Sequence, residues 1–295
     1  MSTAIGFLKG HGTQNDFVII PDPENTIDLG PDAVAALCDR RAGIGGDGLL
    51  HVVRSAAHPE GRAYADEAEW FMDYRNADGS VAEMCGNGVR VFARYLQRAG
   101  HVDAGELAVA TRAGVKRAHL AKDEAPGVPG EITVEMGVAR LPEGEVEVRV
   151  GSGLRPATHV DMGNPHAVTF VTDLAEAGEL RTAPEVLPAS AYPHGVNVEF
   201  VVDRAPGALV MRVHERGSGE TRSCGTGACA VAVAAARRDG LDPARTGHPA
   251  TYTVDLPGGR LTITERADGV VEMTGPAVLV AEGTIDQDWL AALTA

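Results

Sequence analysis

The sequence predicts an α/β protein of two structurally similar domains, each a set of strands around one central helix, with the active site in the cleft between them. Two Cys-Gly-x-Gly segments, at Cys85 and Cys224, overlay without a gap: Tyr74 falls on Val213, Gly88 on Gly227, and residues 89–96 on 228–235. Short strands outnumber helices throughout, yet the two clearest helices occupy matching places, each opened by one of these cysteines. A chain of 295 residues also fits two domains of about 150 residues better than one.

Composition narrows the class. With 44% hydrophobic and 4% aromatic residues, 36 Gly and 17 Pro, the chain reads as a turn-rich globular protein without long disorder. Its 26 basic and 41 acidic residues give a net charge of -15, an unfavourable field for nucleic acid or an anionic membrane surface. The four cysteines, Cys38, Cys85, Cys224 and Cys229, are too sparse for a disulfide framework. MSTAIGFLKGHG lacks the basic start and long apolar stretch of a secretory leader. The longest apolar run, residues 228–236, is far short of the roughly 20 residues of a bilayer span. A soluble, cytoplasmic protein is expected.

The elements follow in order. Residues 5–8 and 17–20 read as strands around the polar turn HGTQND, where Gly10 and Gly12 are expected to permit backbone positions closed to other residues. Pro31 and Asp32 open a helix reaching Arg40, with Val34, Leu37 and Cys38 on one face; Cys38 is expected in the core. GIGGDG, residues 43–48, is too glycine-rich for a regular element and is expected to line something that approaches the backbone closely. It is no dinucleotide fingerprint. Residues 49–53 and 70–74 form strands separated by a surface excursion. From Gly86 to Ala99 the pattern is helical, with Val89, Phe92, Ala93 and Leu96 on one face and Gly100 closing it. Strands at 107–111, 115–120, 132–136 and 146–150 are divided by turns such as APGVPG.

The second half restarts near His159. HVDMGNPHAVTFV feeds a strand from a Gly-Asn turn much as HGTQNDFVII does, so Asn164 is the counterpart of Asn15. A weak helical segment is expected between Asp173 and Leu187, then two strands, then a helix from Gly225 to Arg238 stopped by Gly240. Cys229 lies on that helix and is expected in its core. Terminal strands and a short tail complete the chain. GSGLRP, residues 151–156, reads as a linker, which divides the chain into domains 1–152 and 153–295.

The cysteines carry the chemistry. A sulfur at the mouth of a helix faces amide N–H groups without intrahelical partners, which favours thiolate and lowers the pKa from its free value of about 8.5. The same amides hold a substrate carboxylate. Two such mouths with a carbon between them place a base on one face and an acid on the other, the arrangement for inverting a stereocentre. Structural packing is the competing reading of either cysteine alone, and the matched repeat favours function. Cys224 and Cys229 are spaced wrongly for zinc, and no metal is expected. A redox pair of Cys85 with Cys224 stays open, as an inactivating disulfide. Glu215 and Arg216 read either as ligands for an ammonium and a carboxylate or, for Arg216, as half of a surface ion pair. Asn197 lies in an extended apolar run, where an inward Asn needs a use. His166 either fixes the turn after Pro165 or touches substrate.

Asn76-x-Asp78-Gly79-Ser80 followed by Cys85-Gly86-Asn87-Gly88-x-Arg90 resembles the signature of the diaminopimelate epimerase family at every fixed position. HGTQNDF, DRRAGIGGDG, MGNPHAV, HGVNVEF and ERGSGETRSCGTGACA follow in that family's order. The resemblance implies two α/β domains, each a β-barrel-like sheet around a central helix, that close on the substrate. It also implies interconversion of LL- and meso-diaminopimelate without pyridoxal phosphate or any other cofactor, in a homodimer. Cys85 and Cys224 would be the acid/base pair. Asn15, Asn76, Asn164, Asn197, Glu215 and Arg216 would recognise the ionic ends of the substrate, and backbone groups at Gly86, Asn87, Gly225 and Thr226 would hold its carboxylate. Gln14 stands where many relatives have Gly, and Gly48 where some carry a larger polar residue. Two alternatives are carried: a proline racemase-like or hydroxyproline epimerase-like enzyme, and a non-catalytic amino-acid binding module.

Overall fold

The protein is described from a computed structural model covering residues 5–123, 125 and 130–294. Residues 1–4 of the opening segment and 126–129 of the APGVPG turn lie outside the described residues. The first half of the chain forms β1 (Ile5–Gly12), β2 (Asn15–Pro21), α1 (Pro31–Cys38), β3 (Gly48–Arg54), β4 (Trp70–Asn76), α2 (Gly86–Arg98), β5 (Gly105–Thr111), β6 (Gly114–Leu120) and β7 (Ile132–Val138). There follow β8 (Val146–Val150), β9 (Gly153–Asp161), β10 (Pro165–Phe170), β11 (Val186–Leu187), β12 (Asn197–Ala205), β13 (Ala208–Glu215), β14 (Gly219–Glu220) and α3 (Gly225–Arg238). The chain ends with α4 (Pro243–Thr246), β15 (Ala250–Leu256), β16 (Gly259–Glu265), β17 (Val270–Gly275), β18 (Val278–Ile285) and α5 (Gln287–Thr294). Among the described residues no helix is long and apolar enough to cross a membrane.

These elements form an α/β fold of two compact units, Met1–Val134 with Pro276–Ala295, and Glu135–Gly275. In the first, strands pair in the order β18-β1-β2-β3-β4-β5-β6-β7. In the second the order is β8-β9-β10-β12-β13-β15-β16-β17. Read along either sheet, the senses repeat: antiparallel, antiparallel, parallel, antiparallel, parallel, antiparallel, antiparallel. The helix follows β4 in one unit and β13 in the other, so the duplication in the sequence is a duplication of mixed sheets.

The expected division at 152/153 is corrected by this pairing. β8 and β9 form a hairpin whose last pair is Val150 with Gly153. Gly151 takes the left-handed φ of 57° that so tight a turn demands. GSGLRP is therefore a turn and the start of a strand inside the second unit, and the strand equivalent to β8 in the first unit is β18, from the far end of the chain.

Other differences are local. The positive φ values of the first hairpin fall on Thr13 (49°) and Gln14 (63°), not on Gly10 or Gly12. Those glycines serve close packing: a Cβ on Gly10 would stand 2.9 Å from Leu279, and one on Gly12 would stand 3.0 Å from the Arg90 guanidinium. A positive φ is costly for a β-branched residue; Thr13 is buried and its hydroxyl accepts from Arg90 at 3.3 Å. α1 stops at Cys38, because Asp39 turns extended and its carboxylate takes the amides of Arg41 and Ala42 at 2.7 and 2.6 Å. The helical segment expected between Asp173 and Leu187 reduces to one 3₁₀ turn, Leu174–Ala177, ended by Gly178. Pro184, without an N–H, hinders any resumption.

α2 and α3 are enclosed more fully than one apolar stripe requires. Every residue from Gly86 to Leu96 is buried, and α2 touches β1, β2, β3, β4, β6 and β18. α3 likewise touches β9, β10, β12, β15, β16 and β17. Burial of Val89, Phe92 and Leu96 contributes about 1.5–3 kcal/mol each, and this anchors the helix whose first turn carries Cys85. Cys38 and Cys229 are buried, as expected.

Candidate active site

Each unit presents one cysteine as the N-cap of its central helix. Cys85 has extended backbone angles, φ -141° and ψ 117°, and its sulfur accepts from Gly88 N at 3.4 Å. Cys224 repeats this with φ -114°, ψ 109° and Gly227 N at 3.3 Å. The amide of Val89 bonds Cys85 O at 2.9 Å and that of Ala228 bonds Cys224 O at 3.0 Å. The amides of Gly86 and Asn87, and of Gly225 and Thr226, thus precede the first one turned back on its cap.

In the first unit β2 delivers Asn15 to the cap. Its Oδ1 accepts from Cys85 Sγ at 3.6 Å and from Asn87 Nδ2 at 3.3 Å, while its Nδ2 donates to Asp47 Oδ2 at 2.9 Å. Asp47 is the acid of GIGGDG, which shows what that loop approaches. Arg40 ties it to Asp16, with 2.6 Å to Asp47 and a bidentate 2.7 and 2.9 Å to Asp16. Burial opposes ionisation of Asp16, but Arg40 and Lys9 outweigh it and hold the carboxyl below the usual range. Asn76 sits at the end of β4, accepting from Tyr74 Oη at 3.1 Å and donating to Ser80 Oγ at 3.0 Å.

The second unit gathers more of the expected residues. Asn164, just before β10, donates from Nδ2 to Thr226 Oγ1 at 3.3 Å, and Thr226 Oγ1 lies 3.5 Å from Cys224 Sγ. His166 faces Asn164 Oδ1 at 3.1 Å, on the turn residue before Pro165. Asn197 opens β12; its Oδ1 accepts from Arg216 N at 2.9 Å and its Nδ2 donates to Pro165 O at 3.2 Å. The matched parallel ladders pair Phe17 with Gly48 and His166 with Asn197, so Gly48 is the counterpart of Asn197. A side chain there would meet Tyr74 at 2.7 Å.

Glu215 closes β13, and its carboxylate accepts from Thr221. Burial pushes the Glu215 carboxyl up, with Thr221 and then Cys224 pulling the other way. Arg216 is exposed, donates to His194 O at 3.3 Å, and has no acidic partner among the described residues. The surface ion pair considered for it is absent there.

One expectation about the thiols is overturned at Cys224. The helix-mouth amide and Thr226 do favour its ionised form, but burial first, then the charges of Glu215 and Glu199, hold the thiol well above its ordinary value. Glu199 itself was not anticipated. The signal available for it was an acid inside the apolar run NVEFVV.

Each unit provides one sulfur beside helix amides, and the second unit adds a raised acid, Glu215, and the guanidinium of Arg216. Such groups can bind an amino acid and move its α-proton. The sequence model of the family described as "Diaminopimelate epimerase" matches residues 7–142 and 158–280. The chain is 74% identical over 290 residues to a diaminopimelate epimerase of Streptomyces coelicolor, covering 98% of each chain. It is 50% identical over 283 residues to that of Thermobifida fusca, covering 95% of this chain and 97% of the relative. In fold it is similar to the Bacillus anthracis phenazine biosynthesis protein of the PhzF family, at a TM-score of 0.70 and 14% identity over 97% of this chain and 100% of the other. Matched over nearly its whole length, the chain belongs to the diaminopimelate epimerase family.

Proposed function

We propose that the protein interconverts LL- and meso-diaminopimelate by two-base proton transfer between Cys85 and Cys224, without a cofactor. The observation that carries this reading is the equivalence of the two caps: the same residue type, in the same backbone conformation, at the mouth of the same helix in each duplicated unit. Each unit closes as a strand barrel around its helix, and the substrate binds in the cleft between them. One sulfur, as thiolate, takes the α-proton while the other, as thiol, delivers a proton to the opposite face; the reverse reaction exchanges the roles.

In this reading the amides at Gly86, Asn87, Gly225 and Thr226 hold the α-carboxylate and steady the enolate-like charge that develops on it. Glu215 and Arg216, with Asn15, Asn76, Asn164 and Asn197, read the ammonium and carboxylate groups. Cys224 begins as the proton donor, in keeping with its raised thiol, and Cys85 serves as the base once it has given up the proton it directs at Asn15 Oδ1. The protein works as a cytoplasmic homodimer.

The test is incubation of the reduced, cofactor-free protein with LL-diaminopimelate in heavy water. Deuterium at the α-carbon together with meso product is expected, and Cys85→Ala or Cys224→Ala should abolish inversion, a loss of at least about 10³-fold. Full epimerisation by either variant would remove the two-base assignment. Turnover of proline or hydroxyproline instead, or tight binding without exchange, would replace the substrate or the activity.

A further inference from the structure

Behind the Cys224 mouth lies a buried acid that two-thiol chemistry does not use. Glu199, on β12, and His166, on the neighbouring parallel strand β10, are both fully enclosed. A carboxylate in such a place is costly unless paired and hydrogen-bonded. Glu199 Oε1 lies 2.6 Å from His166 Nδ1. Through His166, Asn164 and Thr226, an unbroken line of side-chain contacts joins this carboxylate to Cys224 Sγ, at 2.6, 3.1, 3.3 and 3.5 Å in turn.

The direction of each bond follows from what each atom can do. Where the carboxylate is ionised it only accepts, and Nδ1–H then donates to Glu199. An amide oxygen only accepts, so Nε2–H donates to Asn164 Oδ1. Thr226 Oγ1 receives the amide N–H, and its own proton can then serve the sulfur. From the ring onward every donor points toward Cys224. A ring holding one proton would let the Asn164 amide turn over, and the Thr226 hydroxyl would then spend its proton on the amide oxygen.

We propose that Glu199 is a positioning residue for Cys224: it keeps a proton on both nitrogens of His166, which fixes the Asn164 amide and turns the Thr226 hydroxyl onto the sulfur. The thiolate left after proton delivery then meets a donor already in place. This rests on the reading of Cys224 as an acid/base residue. Gly227 permits the arrangement, since a Cβ there would stand 2.9 Å from Glu199 Oε1 and 3.2 Å from Cys224 Sγ. The other titratable groups in the electrostatic surroundings are Glu215 from β13 and Tyr192 from the turn before β12, and His159 on β9, whose ring packs on Tyr192, also feels the charge of His166.

Glu199→Gln keeps the volume and one carbonyl acceptor but cannot sustain the ion pair. In protein labelled with ¹⁵N-histidine, the wild-type His166 ring should show two protonated nitrogens at assay pH, and the variant one protonated and one bare. In the same variant kcat should fall about tenfold or more while KM stays within about twofold. Thr226→Val should reproduce the fall in kcat and leave the His166 spectrum unchanged, a check that does not depend on the folding of the Glu199 variant. A bare ring nitrogen in the wild type, an unchanged spectrum in Glu199→Gln, or an unchanged kcat in either variant would overturn the proposal. The ring spectrum needs no substrate, so absence of epimerase activity in the wild type would count against the enzyme assignment and leave the ring measurement standing.

Discussion

Gly88 and Gly227 occupy the same place in the first turns of α2 and α3, yet a methyl group would meet different neighbours. At Gly88 the nearest atoms are Leu50 Cδ2 at 3.3 Å and Cys85 Cβ at 3.4 Å; at Gly227 they are the paired Glu199 oxygen at 2.9 Å and the Cys224 sulfur at 3.2 Å. An apolar neighbour yields by a few tenths of an ångström, whereas a carboxylate held by His166 does not. Gly227→Ala should therefore lower kcat by about tenfold or more, and Gly88→Ala by less than about threefold, with the helix gaining up to about 1 kcal/mol at the second site. Steady-state kinetics and thermal melting of the two variants make the comparison. At this scale the sequence displayed Cys85 and Cys224 plainly, because a repeated CGxG before a helical pattern is a local signal. It concealed Glu199. In a strand the eye assigns polar residues to the solvent face, but the first five residues of β12 are all buried, so alternation carries no information there.

The pair β3 and β4 shows what a strand element hides when its polar residues point inward. His51 lies between Asp22 at 3.0 Å and Asp73 at 3.5 Å, and Asp73 also meets Arg75 and Arg112, each at 2.7 Å. For both acids burial opposes ionisation, but the hydrogen bonds from His51, with Arg75 and Arg112 at Asp73 and backbone amides at Asp22, hold them below the ordinary 3.8. Their contribution is complete above about pH 5 and is lost as pH falls through about 4 and beyond. His51 is shifted above its ordinary 6.5, against burial, by the same two acids. Its contribution is complete below that value and is lost as pH rises through the folded-state pKa. Asp73→Asn leaves buried cations uncompensated and should cost about 3–5 kcal/mol at pH 7, with a smaller difference at pH 3. Urea unfolding at the two pH values measures it. A loss equal at both would dismiss the ionic account. The strands are legible in β-branched runs and turn residues, and the helical pattern of residues 225–238 coincides with α3. After Asp173 helix-forming residues raise the same expectation, but Gly178 cuts them off after a single turn.

At the scale of the whole molecule, the first unit is completed by β18, which lies antiparallel to β1 with Ile5 opposite Ile285. No local pattern announces a pairing between the two ends of a chain, whereas GSGLRP offers a linker-like composition in the middle. That is why the duplication was legible and the boundary was not. A protein ending at Gly275 lacks one of the two partners of β1, β18, and keeps the other, β2. It should lose amide protection along β1 in hydrogen exchange while β12, β13 and β15 keep theirs; retained protection at Phe7 and Lys9 would show that β1 does not depend on β18. That shortened protein is also a stage through which every molecule passes during its own synthesis. Domains ordinarily fold in the order in which they leave the ribosome. Here residues 135–275 carry what their own unit needs, while β1 must wait for β18. The unit that holds β1 is the second to be finished, and until β18 has emerged β1 keeps an open edge.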